Sequence, residues 1–181
     1  MSGTLVTLII VAAVIVWGVL VYNRFIRRKN VVQEAWSGID VQLKRRYNLI
    51  PNLVETVKGY RKHETEVLSQ LTQQRTGSQQ VAERGEKETE ISQAIQNLLA
   101  VAEDYPDLKA NQNFLDLQNN LDEIEEQIQQ ARRYYNGAVR DFNTLVESFP
   151  SNIIAKYFRF RNAEFFQIDL ATHRTLPKVE F

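Results

Sequence analysis

The sequence predicts an all-α protein: an N-terminal transmembrane helix followed by an up-and-down antiparallel long-helix bundle of three long or medium helices plus a short C-terminal helix. Three observations predict it. Gly3 to Tyr22 carries no charged side chain. From Val32 to Leu71, apolar residues return in heptad steps. From Phe114 to Phe149 they do so again without a slip. A repeat of period 3.5 is what helices packed along their length require.

The first element is "GTLVTLIIVAAVIVWGVLVY", Gly3 to Tyr22. Twenty residues at ~1.5 Å each cover roughly 30 Å, the hydrocarbon thickness of a bilayer. A cleaved signal peptide would have a basic residue before the apolar run, a shorter apolar core and a small-x-small site after it. The run here has none of these. Residues 1–23 are therefore assigned to a transmembrane anchor and 24–181 to a soluble helical bundle. Arg24, Arg27, Arg28 and Lys29 follow the span, and no side-chain charge precedes it. The positive-inside rule then puts the short N-terminus outside and the bundle in the cytoplasm. The same four residues are the expected contacts to anionic lipid headgroups, at about 1 kcal/mol each.

The next helix continues from the span, since no Gly, Pro or Ser cluster separates them. Its seam is Val32, Trp36, Ile39, Leu43, Arg46, Ile50, Leu53, Val57, Tyr60, Glu64, Val67 and Leu71. Arg46 and Glu64 are misfits, and Tyr47 is an alternative to Arg46. Pro51 lies inside this run. An interior proline costs about 3 kcal/mol, because it removes a donor and strikes the carbonyl four residues back. The heptad phase nevertheless crosses it from Ile50 to Leu53, and Ile50 is a poor N-cap. Pro51 therefore reads as a kink within one helix that frees the carbonyl of Tyr47.

A polar stretch follows, with a loop at Gly77–Ser78. A shorter helix then shows Ile91, Ile95, Leu98 and Ala102 on one face and ends at Tyr105–Pro106. The third helix has the clearest seam: Phe114, Leu117, Leu121, Ile124, Ile128, Ala131, Tyr135, Ala138, Phe142, Leu145 and Phe149. Pro150 ends it. Asp122, Glu123, Glu125 and Glu126 fall off the seam and read as a solvated face. After Pro150, Ser151 or Asn152 caps a short apolar helix. The tail "ATHRTLPKVEF" reads as an extended strand.

The formal net charge is zero, but it is unevenly spread. Residues 24–75 hold 11 basic and 5 acidic side chains, and residues 83–147 hold 6 and 14. A basic first helix set against acidic second and third helices accounts for this within one molecule, and the same complementarity can work between molecules. There is no cysteine, and the two histidines, His63 and His173, form no ligand spacing. Phosphate-loop, dinucleotide, zincin and nucleophile-elbow motifs are all missing. The expectation is no enzyme, no catalytic, cofactor or metal site, and no cofactor. An enzyme would require a polar, partly buried cluster around Asp40, Lys44 and Arg46, and a plain i, i+4 pair explains the first two. "AKYFRFRNAEFF", residues 155–166, interleaves aromatic and basic residues. Closing the end of the core is the first reading, membrane or partner contact the second, and nucleic acid the least supported; no nucleic-acid partner is expected.

Three blocks, "VVQEAWSGIDVQLKRRYNLIPNLVETVKGYRKHE" (31–64), "AVAEDYPDLKANQNFLDLQ" (100–118) and "YYNGAVRDFNTLVESFPSNIIA" (134–155), together with the closing "PKVEF", resemble the LemA family. The family's D-x-Q-L-K-R-R…L-I-P-N-L pattern is matched by Asp40, Gln42, Leu43, Lys44, Arg45, Arg46, Leu49, Ile50, Pro51, Asn52 and Leu53. The resemblance implies a non-enzymatic, single-pass protein of the bacterial plasma (inner) membrane with a long-helix bundle. Family relatives include a protein needed to form magnetosome membranes, and members are often encoded beside a membrane zinc metallopeptidase. The resemblance thus implies a membrane-associated scaffold or adaptor. The anchor, the basic cluster, the long seam and the opposite charges on separate helices add the expectation of a scaffold that self-associates and organises or remodels membrane; the alternative is an adaptor or regulator of a membrane protease or envelope-stress component. A homo-oligomer is the expected state, with a membrane metallopeptidase as the possible second partner.

Overall fold

The computed structural model describes residues 3–60, 81–102 and 104–166. Within them lie five helices and no strand. They are α1 (Gly3–Tyr60), α2 (Val81–Ala102), α3 (Pro106–Lys109), α4 (Gln112–Glu147) and α5 (Ser151–Tyr157). The fold class read from the seams is the one found. Gly77–Ser78, Glu64, Val67, Leu71, both histidines and the 171–181 tail lie outside the described residues.

The 58 residues of α1 span roughly 87 Å at helical rise. The helix passes without a break from the apolar segment into the bundle and through Pro51. The proline is exposed, on the side where water can serve the carbonyl it strands. The chain divides into two compact units.

The first unit comprises residues 1–39 and 131–164. In it α1 runs antiparallel to the C-terminal part of α4: Phe25 meets Phe142, Arg28 meets Asp141, and Trp36 meets Tyr135. The core is Phe25, Phe142 and Ala155, with Val21, Val32, Leu145, Val146, Ile154, Phe160 and Ala163 packed on it. Non-helical residues 160–164 are tied to α4 by side chains. Asn143 Nδ2 donates to the Ala163 carbonyl at 2.9 Å, and its Oδ1 accepts the Ala163 N–H at 2.8 Å. The Tyr135 hydroxyl donates to the Glu164 carbonyl at 2.9 Å.

The second unit comprises residues 40–130 and 165–181. Its core joins Ile50, Leu53 and Val57 of α1, Ile91, Ile95, Leu98 and Ala102 of α2, Leu108 of α3, and Phe114 and Leu121 of α4. All four apolar positions anticipated on α2 are buried. Asn111 opens α4: its Oδ1 accepts the N–H groups of Asn113 and Phe114, at 2.9 and 3.3 Å, the pattern of an N-cap.

Three local expectations are corrected. The seam of α4 does not reach Phe149, because the helix ends at Glu147 and Phe149 stands exposed. Neither Ser151 nor Asn152 caps α5: the N-cap is Pro150, without a side-chain bond. The Ser151 hydroxyl turns back instead and donates to the carbonyls of Leu145 and Ser148, at 2.7 and 2.9 Å. The Leu145 carbonyl lies in the last turn of α4, where a helix leaves acceptors unserved, and serving it outweighs capping the next helix; the Ser148 carbonyl also accepts the Asn152 N–H at 2.8 Å. Tyr47 does not replace Arg46 in the seam, since Arg46 is the buried residue and Tyr47 is half-buried.

Candidate functional site

Two places combine charge with burial or apolar exposure, one in each unit. In the first unit, the apolar segment of α1 has none of its most apolar window buried. Leu8, Val14, Ile15 and Leu20 are among its exposed side chains. Bare apolar surface on this scale is disfavoured in water and fits lipid. Arg24, Arg27 and Lys29 are exposed just beyond it. Arg28 instead donates to Asp141 at 3.1 Å, so one of the four expected headgroup contacts already holds an intramolecular partner. The rings of Tyr22, Phe25, Phe158 and Phe160 join α1 to the chain after α5. Phe25 lies parallel to Phe160 at 4.6 Å, and Tyr22 meets Phe158 at 4.7 Å.

The second place is a charged cluster inside the second unit. Arg46 is 2% exposed and Glu88 is 1% exposed. The guanidinium pairs with Glu88 through NH2. Through NH1 it donates to Ser92 Oγ at 2.9 Å and to Glu125 at 3.0 Å. The Tyr47 hydroxyl donates to the other Glu88 oxygen at 3.1 Å. Arg46 Nε has no partner among the described residues. Arg46 is among the residues lining a cavity of about 280 Å³, with Ser92, Gln93, Gln96, Leu121 and Gln129. A buried cation faced by two carboxylates and a serine hydroxyl can favour one arrangement of the three helices over others.

The residues singled out in the sequence separate accordingly. Asp40, half-buried, and Lys44, exposed, form an i, i+4 pair at 3.0 Å. Glu125 was grouped with the solvated acidic face but reaches Arg46, while Asp122, Glu123 and Glu126 are exposed. Glu88, Ser92 and the role of Glu125 were missed. The available signal was a lone arginine at a seam position together with an acidic excess on the later helices. The aromatic–basic stretch divides too: Phe160 and Phe166 turn inward, whereas Tyr157, Phe158 and Phe165 are exposed. Among the described residues no group of three His, Asp or Glu side chains is placed to hold a metal ion.

One pKa is shifted. Burial, and then the Glu164 carboxylate, raise Tyr135 above the ordinary tyrosine value.

Fold and site together define, over the described residues, an all-helical protein with one candidate membrane-spanning helix continuous with its bundle. The chain belongs to the LemA family, whose model matches residues 35–181. It is 28% identical over 149 residues to Protein LemA of Metamycoplasma hominis, covering 80% of this chain and 68% of that one. It is 25% identical over 175 residues to magnetosome protein MamQ 2 of Paramagnetospirillum magneticum, covering 81% and 64%. To magnetosome protein MamQ of Magnetospirillum gryphiswaldense it is 21% identical over 174 residues, covering 80% and 64%. The chain thus spans about two thirds of the length of these relatives.

Proposed function

We propose that the chain is a non-enzymatic, membrane-anchored helical scaffold that self-associates and organises or remodels membrane. One observation carries the reading: α1 is a single helix from an unburied apolar segment into a packed core. A helix continuous across that boundary transmits the tilt of the bundle to the lipid, and the reverse, as a flexible linker cannot. Arg24, Arg27 and Lys29 then face the headgroups, and Pro51 sets the bend of the stalk and so the angle at which copies meet. The magnetosome proteins among the relatives support a role at membranes.

The test is the oligomeric state of the full chain in nanodiscs or detergent across a concentration series, with Pro51→Ala beside it. Wild type is expected to form defined oligomers. Pro51→Ala is expected to keep its helical circular dichroism and lose normal assembly. A wild type that stays monomeric at every concentration would falsify the scaffold. Crosslinking in cells adds a second check, because dominant recovery of another membrane protein, such as a metallopeptidase, in place of homotypic products would make the chain an adaptor. Protease protection in spheroplasts tests the orientation with the bundle in the cytoplasm.

A further inference from the structure

We infer that the α4–α5 corner is a second membrane contact, a wedge whose apolar side enters the bilayer boundary beside the anchor. The inference rests on the anchor reading of α1 and adds a lipid-binding surface to it.

Helix α5 packs Ile154 on the core but leaves its other large apolar residues outside. Its small residues Ser151 and Ala155 face the core and are buried. Ile153 and Tyr157, four residues apart and so on one helical face, are 56% and 80% exposed, and Phe149 in the turn before α5 is 81% exposed. A helix serving only the bundle would turn Ile153 inward and leave serine outside.

The level of this face along α1 decides what covers it. A Cβ placed on Gly18 would lie 3.9 Å from Ile154 Cδ1. Trp17 and Val21 line the same cleft as Phe149, Pro150 and Ser151, together with Arg24, Arg28, Asp141, Thr144 and Ser148. Gly18 lies within the apolar segment, six residues before Arg24. At ~1.5 Å per residue that is roughly 9 Å beyond the first basic side chain, and interfacial helices bury their apolar faces by about 5–10 Å. Ile154, and with it the turn of α5 that carries Ile153, therefore stands at a level where α1 itself presents only apolar side chains. Lys156 and Arg159, both exposed, flank this face and suit anionic headgroups. The occupant is the lipid bilayer, in continuity with the surface of the anchor.

The absence of cysteine makes the test clean. Single variants Phe149→Cys and Ile153→Cys of the full chain carry an environment-sensitive fluorophore in phosphatidylcholine–phosphatidylglycerol nanodiscs, with and without brominated acyl chains. Val14→Cys reports the anchor, and Tyr134→Cys, exposed on α4 beside the Tyr135 that meets Trp36, reports the aqueous side. The expected result is loss of emission to brominated lipid at Val14, Phe149 and Ile153, with blue-shifted spectra, and none at Tyr134. Quenching at Val14 but not at Phe149 or Ile153 would overturn the wedge and leave the anchor standing. No quenching at Val14 would overturn both. Labels at Phe149 and Ile153 that are shielded from iodide yet untouched by brominated lipid would show a protein covering the corner, and would overturn the lipid assignment.

Discussion

In the unit that carries the apolar segment, Phe25 stacks on Phe160 and meets Phe142 edge-on. In the other unit, Arg46 lies buried between Glu88 and Glu125, at a position where the same helix otherwise presents Leu43, Ile50 and Leu53. The two interiors solve different problems. Aromatic packing is tolerant, since one ring accepts another over a range of angles at little cost. A buried guanidinium is satisfied in one register only, because a shift of one turn strands a charge in the core. The aromatic unit holds the apolar end of α1 by area, and the charged unit fixes which turn of α2 and α4 faces which turn of α1.

The strongest way to break that contrast is to remove the cation alone. Arg46→Leu leaves Glu88 buried without its partner and is expected to lower the stability of the second unit by about 3–5 kcal/mol. The double variant Arg46→Leu/Glu88→Leu should recover most of that loss, since an apolar pair of similar volume replaces a buried ion pair at little net cost. Urea unfolding of the full chain in nanodiscs measures both. Equal destabilisation in the single and double variants would mean that volume, and not charge, holds α2 in place. The double variant should also broaden hydrogen exchange along α2, because the register lock has gone.

Next in size is Asn143→Ala in the first unit. It removes both bonds to Ala163 and strands the backbone N–H and carbonyl of that residue, at about 1–3 kcal/mol. Faster exchange at Ala163 and its neighbours, with no change in α2, is the expected pattern. An equal response in α2 would show the units to be one cooperative body.

The contrast between the units also marks how far the sequence could be read. Periodicity reported faces: Leu121, Ile128, Tyr135 and Phe142 are buried where a 3.5-residue repeat puts them. It also placed Arg46 on the core face, but could not say what would neutralise it. Glu88 stands one seam step before Ile91, Ile95, Leu98 and Ala102, so the period of α2 puts it on the core face; period alone does not pair it with Arg46, and only the folded chain brings the two together. Phe149 failed for a related reason. It continues the arithmetic of the α4 seam, yet the helix stops at Glu147, and an apolar residue beyond a helix end points wherever the turn sends it. The aromatic–basic stretch after α5 has no period, so which rings turn inward was settled by Phe25 and by the Asn143 clamp, both distant in sequence.

A smaller effect separates the units by pH. The Tyr135 hydroxyl is held neutral by burial and by the Glu164 carboxylate, so its pKa lies above the unfolded value. Its contribution is complete below pH ~10, where both states are protonated. As pH rises past the unfolded pKa toward the folded one, the unfolded state loses its proton first and the first unit loses stability. Tyr135→Phe should cost about 1 kcal/mol near neutrality, for the lost bond to the Glu164 carbonyl. It should also remove this part of the alkaline decline, read by thermal unfolding between pH 8 and roughly 11.

The smallest expected effect on stability bears most directly on the membrane. Arg28 and Asp141 are paired with side chains 39% and 46% exposed, and such surface pairs contribute about 0–1 kcal/mol. Asp141→Asn should therefore leave unfolding in neutral phosphatidylcholine discs within that margin. It removes a carboxylate from beside the basic cluster and frees Arg28 to join Arg24, Arg27 and Lys29. One added headgroup contact is worth about 1 kcal/mol at an anionic surface. The variant should consequently gain stability over wild type in phosphatidylglycerol discs, and the gain should fade at high salt as screening shortens the reach of the charges. A variant that responds identically in neutral and anionic discs would mean that Arg28 faces protein and not lipid even when released. The aromatic unit would then be fastened to the bilayer by apolar surface alone.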